Sequence, residues 1–463
     1  MNTLLWFQRD LRLNGNPALN WALRQNKPII AVYIYSPEED SIWTEGGASR
    51  WWLHQNLKQL SDDLLTLNIK LQFFKANSVK IISKLVTDEQ VSSVVWTNRH
   101  EPHRIQCENN IETELLTKEI EVERINEGLI SRPDNFLTST KSTPYRVFTP
   151  FYKKLRSELN LFNFHTNGNT HINSSSLPVQ RVKNSLTLDQ LDLLDHHPWH
   201  EKLHSHWSPG EKSASEKLDT FIETSLFNYK SERDIPEIDG TSMLSPHLHF
   251  GEISMQQIIS ELTPLIEIQG GVIALQAEVF LRQLIWREFA RYTLWHFPAT
   301  STQPMNPKFT KDFWKTDKVN LKKWQQGKTG IPIVDAGMNQ LWETGTMHNR
   351  VRMLVASLLT KNMGISWQQG ARWFWDTLVD ADLANNTMGW QWVAGCGVDA
   401  APYYRIFNPE TQAKKFDKQG HYINRWLDNT STLKPSQAVV DLSTSRVDAL
   451  DRYNNIVRHS NLT

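Results

Sequence analysis

Short apolar runs alternate with helix-like segments along the first part of the chain. Residues 3–7, 29–35, 71–74 and 91–96 predict buried strands, and residues 48–67 show the periodicity of an amphipathic helix. Strands that alternate with helices are typical of a parallel sheet covered by helices. We therefore predict a doubly wound α/β domain over residues 1–132.

The periodicity becomes helical in the second half, where apolar residues recur three and four positions apart. Four segments follow this pattern: 274–292, 332–343, 350–361 and 367–378. We expect an all-helical domain over residues 208–430. A polar tail follows at 431–463, with one short helix-like piece at 445–456.

Residues 133–207 separate the two predicted domains. They show little apolar periodicity and carry polar stretches at 166–170 and 173–176, with His196-His197 further on. Such a segment is typical of a connection that runs over the surface. We predict a linker here.

Composition limits the partners and the cofactor. Lys and Arg total 50, as do Asp and Glu, so only a local basic patch could hold nucleic acid. Cys107 and Cys396 stand far apart and outside any CxxC, so we expect no metal cluster. No apolar run approaches membrane-spanning length. We expect a cytoplasmic monomer with no membrane contact.

Two phosphate-binding motifs are missing. Arg9-Asp10 and the residues after them follow the first predicted strand, where a dinucleotide-binding domain would carry GxGxxG, so a large cofactor should lie elsewhere. Gly327-Lys328-Thr329 resembles the end of a phosphate loop, but that motif requires glycine at 322, which is lysine. These positions argue against an NTPase.

Ser245-Pro246 is a strong helix start. We expect the Ser245 hydroxyl to be the N-cap, with proline at the first helical position. Free N–H groups at such an end can bind an anion, and Thr241 and Ser242 lie just upstream, so one interpretation is a pyrophosphate site. A plain capped helix is the other.

Residues 367–392 contain five tryptophans around Asp380, Asp382, Asn385 and Asn386. Indole is the side chain most easily oxidised, and carboxylates beside amides suit a polar heterocycle. The cluster indicates a redox-active chromophore, although a single tryptophan more often serves packing.

Several motifs together resemble the photolyase/cryptochrome flavoproteins, in particular bacterial photolyases that repair cyclobutane pyrimidine dimers. The similarity runs from about Thr3 to Leu427, with the motifs in the right order. They include WFQRDLRL, TSMLSPHLHFGEIS, LIWREF, GKTGIPIVDAGMNQL, MHNRVRM, DADLANN and GWQWVAGCGVDAAPYYRIFNP.

The resemblance implies an N-terminal domain with a possible antenna chromophore, of the folate or deazaflavin type, and a helical domain that holds FAD. By position, the residues expected at the FAD phosphates are Tyr229, Thr241, Ser242, Leu244 and Ser245. Those expected around the rest of FAD are Arg287, Asn349, Arg352, Asp380, Asp382 and Asn386, with Arg352 paired to Asp380 beside the flavin ring.

The resemblance also implies how electrons move. Asn386 would face the flavin N5, and a neutral amide there cannot protonate N5, so the reduced flavin anion can persist. Trp390, Trp367 and Trp314 match the family's tryptophan chain, which relays an electron from the surface to photoexcited flavin.

The implied substrate is damaged DNA with a flipped-out pyrimidine dimer, and this expectation of base flipping is carried over from the photolyases themselves, which are known to flip bases. The residues expected at the dimer are Gln283, Trp286, Asn349, Met353 and Trp390. Those expected at the DNA phosphates are Arg233, Arg350 and Arg405.

Gln283 departs from the family pattern, because dimer photolyases usually carry glutamate there. Glutamine keeps the hydrogen-bonding geometry and loses the charge. This favours a cryptochrome-type photoreceptor without repair activity or a 6-4 photoproduct photolyase as alternatives. The 6-4 enzymes place two histidines where this chain has Asn349 and Met353, which favours the cyclobutane dimer.

Overall fold

The computed structural model describes residues 1–164, 179–194, 198–400, 404–427 and 438–459. The predicted polar stretches 166–170 and 173–176, the pair His196-His197 and the predicted boundary at 430 lie outside these ranges. The chain divides into two compact units. Unit 1 is Met1–Arg132, Ser157–Thr224 and Ser242–Leu284, and unit 2 is Pro133–Arg156, Ser225–Thr241 and Ile285–Thr463. The domain limits 132, 207 and 430 stay predictions.

The sheet of unit 1 has five parallel strands within the described ranges, in the order β3-β2-β1-β4-β5. The strands are β1 Asn2–Phe7, β2 Ile29–Tyr35, β3 Leu71–Lys75, β4 Val91–Thr97 and β5 Glu121–Ile125. Helices cover both faces of such a sheet, so its central strands are buried along most of their length. The doubly wound fold is confirmed, and β1 to β4 were predicted.

Helices make up most of the remaining described chain. Up to residue 264 they are α1 Pro17–Arg24, α2 Gly47–Leu65, α3 Ser78–Asp88, α4 Pro102–Thr117, α5 Phe148–Glu158, α6 Glu211–Thr220, α7 Tyr229–Glu232, α8 Ser245–Phe250 and α9 Met255–Pro264. Beyond it they are α10 Gly271–His296, α11 Lys318–Gln325, α12 Pro332–Thr344, α13 Asn349–Ser357, α14 Trp367–Thr377, α15 Leu383–Ala394, α16 Pro409–Phe416, α17 His421–Trp426 and α18 Leu442–His459. The helical nature of the C-terminal half is confirmed.

The predicted linker contains a helix that periodicity analysis missed. Phe148, Phe151 and Leu155 of α5 are buried at helical spacing in unit 2. Phe151 packs against Phe289 and Tyr292, with ring centroids 5.0 Å away in each case. The expectation of a surface connection was therefore wrong for Phe148, Phe151 and Leu155, which are buried in unit 2.

Among the described residues, no helix combines the length and the apolar character needed to cross a membrane.

Candidate functional site

A charged pair joins α13 to the segment before α15 in unit 2. The Nη2 atom of Arg352 lies 3.1 Å from each carboxylate oxygen of Asp380. The Nε atom of Arg352 donates to the Met347 carbonyl at 2.7 Å, which fixes the guanidinium from the other side. The Asp380 side chain is only 7% exposed. The expected pairing of these two residues is present.

Asp382 and Asn386 are positioned by the start of α15. The Asp382 carboxylate is the N-cap and accepts from the Asn385 N–H at 2.9 Å, as short polar side chains do at helix starts. Asp382 also lies 3.5 Å from Nη2 of Arg291. The Asn386 amide donates to the Ala371 carbonyl of α14 at 3.0 Å. This bond ties the orientation of the Asn386 amide to α14.

The three expected relay tryptophans lie on adjoining segments of unit 2. Lys315, the residue after Trp314, forms a parallel β-bridge with Ile365. Ile365 lies two residues before Trp367, the first residue of α14, so the backbone at Trp314 lies beside the start of this helix. One helical turn after Trp367, Gly370 contacts the indole of Trp390 on α15 so closely that a Cβ atom there would lie 2.1 Å from the ring.

Burial distinguishes Trp314 from the other two tryptophans. Trp367 and Trp390 are buried, and Trp314 is half-buried. Within the described ranges, the indole N–H groups of Trp367 and Trp390 have no hydrogen-bond partner. Trp314 is therefore the most accessible of the three.

The residues expected at the FAD phosphates come from both units. Tyr229, which is buried at the start of α7, and Thr241 belong to unit 2. Ser242, Leu244 and Ser245 belong to unit 1.

The N-cap prediction for Ser245 was wrong. Helix α8 begins at Ser245 itself, with Leu244 at the N-cap position and no capping side-chain hydrogen bond. The preceding residue, Met243, has φ of 51°, so the chain turns sharply one residue earlier than the Ser-Pro pattern suggested.

The residues expected at the substrate lie on α10 and α13. Trp286 stacks on Phe148 with ring centroids 3.5 Å apart and an interplanar angle of 9°. The amide of Gln283 donates to the Val279 carbonyl at 3.1 Å. Arg287 is half-buried on α10. Asn349 begins α13 and is exposed.

Met353 follows Asn349 by one turn of α13. Its sulfur lies 4.0 Å from Nη1 of Arg350. Asn349 and Met353 therefore share one side of α13 by their spacing.

Arg350 and Arg233 share one acidic neighbour. Nη2 of Arg350 lies 2.7 Å from Oδ2 of Asp234, and Nε of Arg233 lies 4.0 Å from Oδ1 of the same carboxylate. Arg405, the third arginine expected at phosphates, is exposed and lies over the Phe407 ring at 4.8 Å.

His348 precedes α13. Burial lowers the pKa of His348 to about 4, so its imidazole is neutral at pH 7.

Sequence reasoning missed four residues of this region. They are Phe148, Asp234, Arg291 and Gly370. An isolated glycine inside a helical pattern can signal a close approach, so Gly370 could have been found. Asp234 could have been noticed beside Arg233, whereas Phe148 contacts Trp286 from a segment remote in sequence.

Two family models match the chain. The model described as "DNA photolyase" matches residues 3–170, and the "FAD binding domain of DNA photolyase" matches residues 280–458. The expectation of FAD is therefore confirmed at the level of the domain.

Curated relatives match over nearly the whole chain. A deoxyribodipyrimidine photo-lyase of Agrobacterium fabrum is 38% identical over 436 residues, which cover 93% of this chain and 88% of the relative. Cryptochrome-2 of Arabidopsis thaliana is 32% identical and is covered to 71%, against 93% of this chain. A crystal structure of a class III photolyase from Agrobacterium tumefaciens superimposes with a TM-score of 0.87 at 34% identity, covering 99% of this chain and 98% of that one.

Proposed function

Because the chain belongs to the DNA photolyase and cryptochrome family, we propose that it splits cyclobutane pyrimidine dimers in DNA under light. When bound, reduced FAD would supply the light-absorbing group and a reversible one-electron donor for this reaction. The residues of unit 2 that we assign to FAD suit a polar heterocycle, because they combine the Arg352–Asp380 pair with the Asp382 carboxylate and the Asn386 amide.

The observation that carries this proposal is the arrangement of α13. Asn349 is exposed and Met353 is half-buried one turn later, as a contact surface for a flipped base requires. Between them, Arg352 points to Asp380. One turn of α13 thus carries the arginine that pairs with Asp380 beside an exposed and a half-buried side chain, which supports our assignment of dimer contacts to Asn349 and Met353.

The remaining assignments divide by role. We assign Trp286 to stacking on the dimer, since Phe148 supports its ring from one side at 3.5 Å. We assign Trp390, Trp367 and Trp314 to the electron relay. We assign the local basic patch for DNA phosphates to Arg233, Arg350 and Arg405, consistent with a formal net charge of +0.

Gln283 favours a second candidate, a cryptochrome-type photoreceptor that keeps FAD and the relay without repairing DNA. Its amide lacks the negative charge of the usual glutamate. The curated relatives include both photolyases and cryptochromes. Activity therefore has to be measured.

The test mixes the purified FAD protein, reduced under blue light, with an oligonucleotide that contains a thymine dimer. We expect thymine absorbance to recover during illumination. No recovery, with reduced FAD bound, would favour the photoreceptor.

A substitution locates the reaction. Trp286→Ala should reduce recovery by about 10-fold or more, because base stacking on an aromatic ring contributes on the order of 1–3 kcal/mol to binding. The matched control is Trp342→Ala, since Trp342 is 44% exposed. Equal loss in both variants would contradict the assignment of Trp286.

A further inference from the structure

Asp234 occupies a position between two arginines of the proposed phosphate patch. It follows Arg233 directly after α7, and its two carboxylate oxygens face different guanidinium groups. Oδ2 lies 2.7 Å from Nη2 of Arg350, and Oδ1 lies 4.0 Å from Nε of Arg233. All three residues belong to unit 2.

The guanidinium of Arg350 is otherwise held by weak contacts. It lies over the Phe416 ring at 4.5 Å, and Nη1 is 4.0 Å from the Met353 sulfur. Its Nε is buried and has no hydrogen-bond partner among the described residues. Within those same residues, Asp234 is the carboxylate that pairs with Arg350. A donor set held in this way is suited to an oxyanion.

A DNA phosphate and the Asp234 carboxylate would compete for the same donors. Arginine binds carboxylate and phosphate in the same planar, bidentate manner. The Asp234 side chain is 35% exposed, so water and an incoming phosphate can reach the pair. The pair is only partly buried, with Arg350 19% exposed, so its net stabilisation is modest and a phosphate can compete with the carboxylate. Once displaced, the carboxylate still repels the phosphate beside it.

We infer that Asp234 is a positioning residue whose carboxylate competes with DNA phosphate for Arg350 and Arg233, and so promotes release of DNA. This inference rests on the proposed function. Repaired DNA keeps its phosphate contacts and loses those of the flipped dimer. A competitor at the phosphate patch therefore speeds the release of product without entering the light reaction.

The experiment measures binding of duplexes with and without a thymine dimer by fluorescence anisotropy over a range of KCl concentrations. Asp234→Asn should tighten binding of both duplexes by about 3-fold to 10-fold. The plot of log affinity against log salt should steepen by up to about 0.9, because the arginine charge that Asp234 neutralises in part becomes fully available to a phosphate. Asp234→Glu should bind like the wild type, because it restores the carboxylate.

Glu237→Gln is the matched control. Glu237 lies three residues further along the same segment, and its carboxylate pairs with Nδ1 of His421 at 2.7 Å. The substitution removes the same charge without touching either arginine. We expect it to change affinity less than 2-fold.

Repair kinetics provide a second measurement. In Asp234→Asn, repair of bound dimers in a single turnover should stay at the wild-type rate, whereas multiple-turnover repair should slow about 3-fold. Weaker DNA binding by Asp234→Asn, or an equal gain in Glu237→Gln, would overturn the inference. Failure of the wild type to repair dimers in a single turnover would instead overturn the proposed function, and the anisotropy result does not depend on repair.

Discussion

At the scale of single residues, Lys361 is the most unusual ionisable group of unit 2. It is 1% exposed, and its Nζ lies 3.2 Å from the centroid of the Tyr404 ring. Burial lowers the pKa of Lys361 to about 7, although the ring favours the charged form. The neighbouring Cys396 is also buried, and burial raises the pKa of its thiol to about 12.

Because burial disfavours the charged form of Lys361, protonation of Lys361 opposes folding.

The sign of this effect predicts a pH dependence of stability. Between about pH 7 and pH 10.4, the unfolded lysine binds a proton that the folded one has released, so stability rises with pH there. Below about pH 7 the lysine is protonated in both states, so the full cost of burying its charge lowers the free energy of unfolding. Lys361→Met should lower the slope of the free energy of unfolding against pH by up to about 1.4 kcal/mol per unit.

Urea titrations from pH 7 to 10 measure that slope. The control is Lys322→Met, because Lys322 is exposed on α11 and its charge is hydrated in both states. Identical slopes in the wild type and Lys361→Met would contradict the effect of burial.

At the scale of elements, the packing of α14 on α15 depends on Gly370. A Cβ atom at this position would lie 2.1 Å from Cη2 and 2.4 Å from Cζ3 of Trp390. Neither ring atom can move without displacing an indole that is only 3% exposed. Gly370 therefore sets the distance between the helix that carries Trp367 and the ring of Trp390.

Gly370→Ala should destabilise the protein by about 1–3 kcal/mol, because overpacking a core forces side chains from their positions. It should also slow flavin photoreduction, since the relay tryptophans would be displaced. Denaturant titration and illumination of oxidised protein measure these two effects.

Gly389→Ala is the control for Gly370→Ala. Apart from its two chain neighbours and the backbone of its own helix, no atom of the described residues lies within 4 Å of a Cβ at Gly389, which is inside α15. Alanine is the better helix former, so this variant should gain up to about 1 kcal/mol. A Gly370→Ala variant as stable as Gly389→Ala would refute the close packing.

The elements that the sequence predicted well are those with at least one fully buried face. Strands β1 to β4 are buried along most of their length, and their limits differ from the predictions by at most one residue. Strand β5 was missed because its sequence, EVERI, is polar and only partly buried at the edge of the sheet. The predicted helix 350–361 changes to a π-helical turn at Leu358–Asn362, which apolar spacing does not reveal.

At the scale of the whole molecule, motifs predicted the family and its cofactor better than they predicted contacts. The Arg352–Asp380 pair was expected by resemblance and is present. The stacking of Phe148 on Trp286 and the pairing of Asp234 with Arg350 were not expected. Both join segments that are remote in sequence, so only tertiary packing reveals them.

We propose that a dimer in DNA would receive an electron in this protein from reduced FAD under illumination. The fluorescence lifetime of the bound reduced flavin tests this step most directly, because electron transfer shortens the excited state. We predict a shorter lifetime with a thymine-dimer duplex than with an undamaged duplex of the same sequence, at saturating concentrations of each. Equal lifetimes with both duplexes would contradict the account.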